Sequence, residues 1–334
     1  MQGVSARSLS GKTLLGVILA LVAGVLWGSI GYFVRRLYDL EYSTLSIVFV
    51  RMSIAAVIML VFLAVTGRLH LLRVKLRDLW WFITAGLLSS ILLNFFYSES
   101  IRMNPLSVAS ILLASAPIFV VIISALVFKE RITSRKVTSL ALVFIGCVMV
   151  SGLFGGGDDS IAQGHWFSAL GFGAGFTSAL GWGLYAIVSR VALNKGYNSL
   201  TINFYTFACG AAACAPFTEF STVARSVTDH PLDTSILLLL HTLCAALLPY
   251  ALFTYALKFI DTGTASILIE VDPVAAALIG LFVYHENLTA VVIIGIVVVC
   301  LGIAVLNQKP RGPASDEATT EAPPPAPAND TMLE

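Results

Sequence analysis

The chain has 334 residues, of which 57% are hydrophobic and only 12% charged, about half the charge a soluble domain carries. A formal net charge of +1 gives no ground for nucleic acid or an acidic protein as partner. The mean hydropathy of +0.89 exceeds what two soluble cores would need and assigns most of the chain to lipid.

Residues 1–13 form a short polar segment with Arg7 and Lys12 ahead of an apolar run. That run, Leu14–Val34, is too long for the h-region of a signal peptide and is read as a retained helix. Further windows of the ~20 apolar residues needed to cross a hydrocarbon core of roughly 30 Å follow in order. They are Leu45–Val65, Leu79–Ser98, Leu106–Phe128, Lys136–Phe154, Trp166–Leu193, Leu200–Phe217, Ile236–Leu257, Thr264–Tyr284 and Thr289–Leu306. The expected fold is therefore an all-α integral membrane protein of ten transmembrane helices. Continuous apolar runs exclude the alternating ~10-residue strands of a membrane barrel. Residues 155–165 read as an external linker. Residues 307–334 turn to Pro, Ala, Thr, Asp and Glu, and are expected to be a disordered cytoplasmic tail.

Placing the N-terminus inside leaves Arg35, Arg36, Arg102 and Arg225 as the only basic residues in outer loops, with Arg51 inside a span and all the others on the inner side. The positive-inside rule then predicts a plasma (inner) membrane protein with both termini in the cytoplasm. The five cysteines lie in apolar runs with no C-x-x-C pairing and no His at ligand spacing, so neither metal nor other cofactor is expected.

Self-comparison reveals a repeat. A shift of 155 superposes Trp27-Gly28 on Trp182-Gly183, Arg35 on Arg190, Tyr42 on Tyr197 and Phe49 on Phe204. A shift of 156 superposes Ala109-Ser110-Ile111-Leu112 on Ala265-Ser266-Ile267-Leu268, Pro117 on Pro273, Glu130 on Glu286 and Gly146 on Gly302. Residues 14–154 and 166–306 are thus two five-helix repeats. Five is odd, so the second enters the membrane from the opposite side. Such inverted repeats are typical of secondary transporters, with solute held near the midplane between the halves.

These residues resemble the drug/metabolite transporter superfamily, specifically its EamA-type branch. The resemblance rests on Leu26-Trp27-Gly28-Ser29, Phe49-Val50-Arg51, Ala116-Pro117-Ile118-Phe119 and Lys129-Glu130-Arg131-Ile132-Thr133 in the first half. In the second it rests on Trp182-Gly183, Glu270-Val271-Asp272-Pro273 and His285-Glu286-Asn287-Leu288-Thr289. Asp272 departs from the family pattern. The resemblance implies ten helices, alternating access without ATP, and a small organic solute as substrate.

Ionisable residues within spans are expensive in lipid and mark candidate sites. Arg51 is a candidate partner for an anionic solute group, or for Glu99 near the end of the third span. Glu270 and Asp272 precede Pro273 in span nine, and about 200° of helix separates them. Glu270 is the slightly preferred site acid. Pro117 and Pro273 each remove a backbone hydrogen bond, which a cavity wall tolerates. Trp27, Asn94, Tyr97, Trp182, Tyr185 and Tyr250 are candidate path-lining residues suited to aromatic or cationic solutes. His241 reads as a hydrogen-bonded packing residue, and Glu130 and Glu286 as caps or ion-pair partners at turns. Gly24-x-x-x-Gly28 and Gly171-x-x-x-Gly175 fit close helix packing.

No P-loop, H-E-x-x-H or G-x-S-x-G motif is present. The leading expectation is a secondary transporter of an amino acid, related metabolite or amphiphilic drug, with export the favoured direction. A non-transporting scaffold or sensor and an intramembrane lipid-modifying enzyme are the alternatives. Membrane lipid is the surrounding partner, and monomer and homodimer stay equally open.

Overall fold

A computed structural model describes residues 11–128, 134–150, 168–256, 258–260, 268–269, 271–286 and 289–307. Glu130, Glu270, the 155–165 linker and the tail from residue 308 lie outside the described residues. Every regular element among the described residues is helical. Six helical stretches are long and apolar enough to cross a membrane: α1 (Lys12–Asp39), α2 (Thr44–Val65), α3 (Leu76–Met103), α6 (Ala169–Asn194), α7 (Ser199–Phe217) and α8 (Pro231–Phe253). Four shorter apolar helices complete the order: α4 (Leu106–Val120), α5 (Val137–Gly146), α9 (Asp272–Tyr284) and α10 (Ala290–Gly302). Large apolar side chains such as Val57, Val61 and Phe62 on α2 and Phe282 on α9 face outward, as lipid requires. The chain is a multi-pass membrane protein.

The principal packings obey an exchange between halves. α1 packs on α8 as α6 packs on α3; α1 packs on α9 as α6 packs on α4; and α2–α7, α4–α9 and α5–α10 pair directly. Each packing maps onto another, or onto itself, when the first five helices trade places with the second five. Turn geometry follows the same exchange. Glu41 and Gly196, equivalent at the 155-residue offset, both hold positive φ, at 62° and 89°. Here the non-glycine residue pays the steric cost of the left-handed region. Beside these turns, the Tyr42 hydroxyl lies 2.6 Å from Ser226 Oγ, and the equivalent Tyr197 hydroxyl donates to Asp78 Oδ2 at 2.8 Å. Each tyrosine ties one half to the other.

The helices are interrupted at defined places. α3 contains a π-helical segment, Leu88–Phe95, and α8 contains another, Leu243–Leu247. The two overlap at the 156-residue offset. α4 breaks at Ser115, whose hydroxyl donates to Leu112 O at 2.6 Å. That is two residues before Pro117, whose nitrogen has no hydrogen to donate. At the equivalent place Val271 precedes α9, which begins at Asp272 with Pro273 in its first turn. α1 breaks at Ser29, which donates to Leu26 O at 2.7 Å. Its counterpart α6 runs unbroken from Ala169 to Asn194. A separate helix, Phe220–Asp229, lies between α7 and α8. It is amphipathic and short, and the reading of the sequence placed only a loop there.

Both glycine motifs face inward contacts of the same chain. A Cβ at Gly24 would lie 2.6 Å from Ile269 O, and one at Gly28 would lie 2.6 Å from Asp272 O. Gly171 and Gly175 meet Met103, Asn104, Ser100 and Leu112 in the same way. Because backbone cannot retreat like a flexible side chain, Gly24→Ala and Gly28→Ala are each expected to cost about 1–3 kcal/mol. Gly173→Ala meets nothing within 4 Å and is expected to leave stability unchanged or slightly raised. Thermal unfolding of the three purified variants in detergent checks this order.

Candidate functional site

The helix interruptions converge on one cavity of about 220 Å³, lined by residues from α1, α2, α3, α4, α6, α7, α8 and α9. Its walls combine aromatic faces with a few polar groups, the composition expected of a small-molecule site. Trp27 meets Tyr250 edge-on, with centroids 5.2 Å apart, and Trp182 lies 5.9 Å from Tyr185.

Arg51 comes from the middle of the apolar α2 helix and is only 5% exposed. Its guanidinium donates to Asn94 Oδ1 through a short hydrogen bond. The π-helical turn of α3 sets that contact. Asn94 Nδ2 donates to Ser89 O at 2.5 Å, five residues back, so its side chain serves the widened turn and offers its oxygen to Arg51. No carboxylate approaches Arg51 within ion-pair distance among the described residues.

The alternative pairing of Arg51 with Glu99 is not what the structure shows. Glu99 accepts from Arg102 Nε at 3.0 Å and from Arg102 Nη2 at 2.5 Å, and it takes a short bond from the Thr44 hydroxyl. Arg102 is one helical turn from Glu99 on the same helix, so this pairing needs no long reach.

Asp272 carries the opposite charge on another wall. It begins α9, where free N–H groups and the helix dipole favour an anion. Its Oδ1 accepts from Ser110 Oγ of α4 at 2.9 Å, and it makes no ion pair among the described residues. Tyr185 and Asn203 face each other at 3.5 Å across the α6–α7 side.

Eight of the eleven residues singled out in the sequence line this cavity: Trp27, Arg51, Asn94, Tyr97, Trp182, Tyr185, Tyr250 and Asp272. Pro273 is buried but does not line it, and its neighbour Asp272 does. At Pro117 the backbone is described and the wall residue is the adjacent Ala116. Glu270, outside the described residues, follows the wall residue Ile269. The sequence reading missed Ser89, Asn203 and Thr206 as wall residues and Ser110 as the partner of Asp272. Thr206 had a signal, because it is the repeat partner of Arg51.

His241 departs from expectation. It is 1% exposed and stacks near Phe33 at 6.0 Å, yet neither ring nitrogen has a hydrogen-bond partner among the described residues. The ring packs flat against the Phe33 ring.

Many of the wall residues fall into repeat pairs at the offsets found in the sequence. Trp27 opposes Trp182, Met52 opposes Phe207, Leu113 opposes Ile269, Arg51 opposes Thr206, Asn94 opposes Tyr250, and Ala116 opposes Asp272. The family model described as the EamA-like transporter family matches residues 14–152 and again 169–308. The chain belongs to the EamA-like transporter family. As an EamA-like transporter it shares 26% identity over 297 residues with an uncharacterized transporter of Archaeoglobus fulgidus, covering 87% of this chain and 95% of that one. A Haemophilus influenzae protein, also named an uncharacterized transporter, is 28% identical over 262 residues, covering 78% of this chain and 82% of that one. A solved crystal structure shares the fold with a TM-score of 0.54 at 18% identity, covering 90% of this chain and 97% of that one. Membrane transport is therefore the function class of this EamA-like protein.

The Arg51–Asn94 contact yields a direct test. Asn94→Leu leaves a buried guanidinium without its acceptor and is expected to cost about 1.5–3 kcal/mol, the scale of a hydrogen bond to a charged group. Adding Arg51→Leu removes the orphaned charge and is expected to recover most of that loss. A double-mutant cycle of thermal or denaturant unfolding reads the coupling.

Proposed function

We propose that the protein is a secondary transporter that moves a small dipolar organic solute, an amino acid or related metabolite, by alternating access of two inverted five-helix repeats. The observation that carries this reading is one cavity walled by both halves, holding Arg51 and Asp272 with no ionic partner for either among the described residues. A buried charge without its counterion is costly. A solute that brings a carboxylate to Arg51 and a cationic group to Asp272 supplies both counterions at once. Arg51 offers a planar fork suited to a carboxylate, and the aromatic walls bind the remaining apolar body. Pockets for drug-sized ligands occupy roughly 300–1,000 Å³, so a cavity of about 220 Å³ favours a metabolite over an amphiphilic drug.

The reading takes ten membrane crossings, the six long helices and the four shorter apolar ones. The helix that carries the apolar segment α10 continues past it, from Ala290 to Asn307, 18 residues, or about 27 Å at 1.5 Å per residue. An even number of crossings keeps both termini on one side, and the basic residues put that side in the cytoplasm. Export is the favoured direction. Glu270, beside the cavity wall in sequence, is the second acid of the site and is suited to carry a coupling proton or cation.

Purified protein in liposomes, tested for counterflow with labelled amino acids, purines and cationic drugs with and without a pH gradient, decides the matter. Saturable exchange of a dipolar solute is expected. Asp272→Asn and Arg51→Gln are each expected to weaken its half-saturation at least about tenfold, or 1.4 kcal/mol. Glu270→Gln is expected to abolish the response to the pH gradient. Absence of exchange from demonstrably folded protein with every solute would overturn the transport reading in favour of a scaffold.

A further inference from the structure

The connection between α2 and α3 carries a charge pattern that the cavity does not use. α2 ends at Gly67, whose φ of 67° lets Arg68 N return to Leu63 O at 2.8 Å. From there Arg68, Arg73, Lys75 and Arg77 are all exposed, and none of the four makes an ion pair among the described residues. Apolar side chains stand among them. Val65 and Leu76 are 81% and 88% exposed, and Leu69 and Trp80 also face outward. A loop that joins two membrane-crossing helices lies at the membrane surface. There such apolar groups sink towards the lipid chains while the cations stay at headgroup level.

Setting topology takes only charge, and a loose loop would serve. This loop is fastened to the other half of the protein. The Thr201 hydroxyl donates to Leu71 O at 2.9 Å, and the Tyr205 hydroxyl donates to Leu72 O at 2.8 Å. Lys75 N donates to the Tyr197 hydroxyl at 3.4 Å, and that hydroxyl donates to Asp78 Oδ2. Lys195 Nζ pairs with Asp78 at 2.5 Å, so the single acid between Thr66 and Leu79 is already taken. Val74 packs inward against Phe82, Ala192 and Ile202. The backbone at Arg73 and Lys75 is extended, with ψ of 106° and 132°, so these cations point away from the face that buries Val74. The equivalent connection in the second half differs. It holds the Phe220–Asp229 helix with Glu219 and Asp233 beside it, and its one arginine, Arg225, pairs with Asp229 at 3.7 Å. The basic face is thus no requirement of the shared fold.

We propose that residues 68–77 form a preorganised binding surface for anionic phospholipid headgroups, with Arg68, Arg73, Lys75 and Arg77 as its cations. Guanidinium forks match phosphate oxygens two at a time, and no free carboxylate on the loop competes for them. In the orientation proposed above, this surface meets the cytoplasmic leaflet, whose anionic lipids carry the complementary charge. The fastening residues belong to α7 and the turn before it, so a bound headgroup also braces the contact between the halves. The inference depends on membrane embedding and is independent of transport.

Native mass spectrometry of the full chain, stripped of lipid in a neutral detergent, tests it by adding dioleoylphosphatidylglycerol or dioleoylphosphatidylcholine. The wild type is expected to bind the anionic lipid at least about fivefold more tightly than the zwitterionic one, and to lose that preference as salt rises. Arg68→Gln, Arg73→Gln, Lys75→Gln and Arg77→Gln combined are expected to abolish the preference. Arg36→Gln with Arg225→Gln, which removes two exposed cations elsewhere, is expected to preserve it. Thr201→Val with Tyr205→Phe keeps all four cations and frees the loop, and is expected to weaken phosphatidylglycerol binding several-fold without changing phosphatidylcholine binding. Thr201→Val alone stands in if that pair does not fold. Equal binding of the two lipids by the wild type, or a preference that survives the quadruple variant, would overturn the proposal. So would undiminished binding by the freed loop, which would reduce the cations to a diffuse topology signal. Displacement of the lipid by inorganic phosphate would assign the surface to a soluble anion and overturn it as well.

Discussion

The close approach of α1 to α9 is the constraint on which the rest of the site depends. Gly24 and Gly28 present bare backbone, and the carbonyls of Ile269 and Asp272 come to where a Cβ would stand. That contact places Trp27, next to Gly28, and Asp272, which touches it, in the wall of one cavity. It also leaves α1 with little room to bend, and the helix yields instead at Ser29, whose hydroxyl takes over a carbonyl of the preceding turn. Farther along the same helix, Arg35 pairs with Glu286 at the end of α9. A single helix pair therefore sets the wall, the break and the ion pair.

Much of the architecture was legible because lipid imposes a simple rule on composition. Runs such as Thr44–Val65 and Ala169–Asn194 stand out as apolar windows and appear as unbroken helices. The repeat was legible through rare residues held in order, Trp27 with Trp182 and Pro117 with Pro273. Polar and aromatic side chains inside spans were equally conspicuous, and eight of the eleven singled out converge on one cavity. What the sequence hid is of two kinds. The π-helical turns at Leu88–Phe95 and Leu243–Leu247 arise from a one-residue slip of hydrogen bonding that leaves no compositional mark. Pairings such as Arg35 with Glu286, or Ser110 with Asp272, join residues far apart in the chain, and no local pattern encodes them. Short polar wall residues, Ser89 and Asn203 among them, look like any small residue used for helix packing.

The two halves share a skeleton and divide the chemistry. Trp27 and Trp182 give the cavity matching aromatic walls, and the π-helical turns in α3 and α8 widen it at equivalent levels. The functional groups do not match. Arg51 opposes Thr206, Asn94 opposes Tyr250, and Asp272 opposes Ala116. The skeleton makes the two halves equivalent in backbone, while the unequal groups give the cavity a direction.

That inequality has a mechanical meaning for anything held inside. A perfectly symmetric cavity would present the same field to a solute arriving from either face, and a dipolar molecule would have two equal ways to lie in it. With the cation contributed by α2 and the anion by α9, one orientation of a dipolar molecule is singled out. Exchanging Arg51 with Thr206 and Asp272 with Ala116 would reflect the polarity across the bundle's two-fold while leaving its helices in place, and a dipolar molecule held there would lie the other way round.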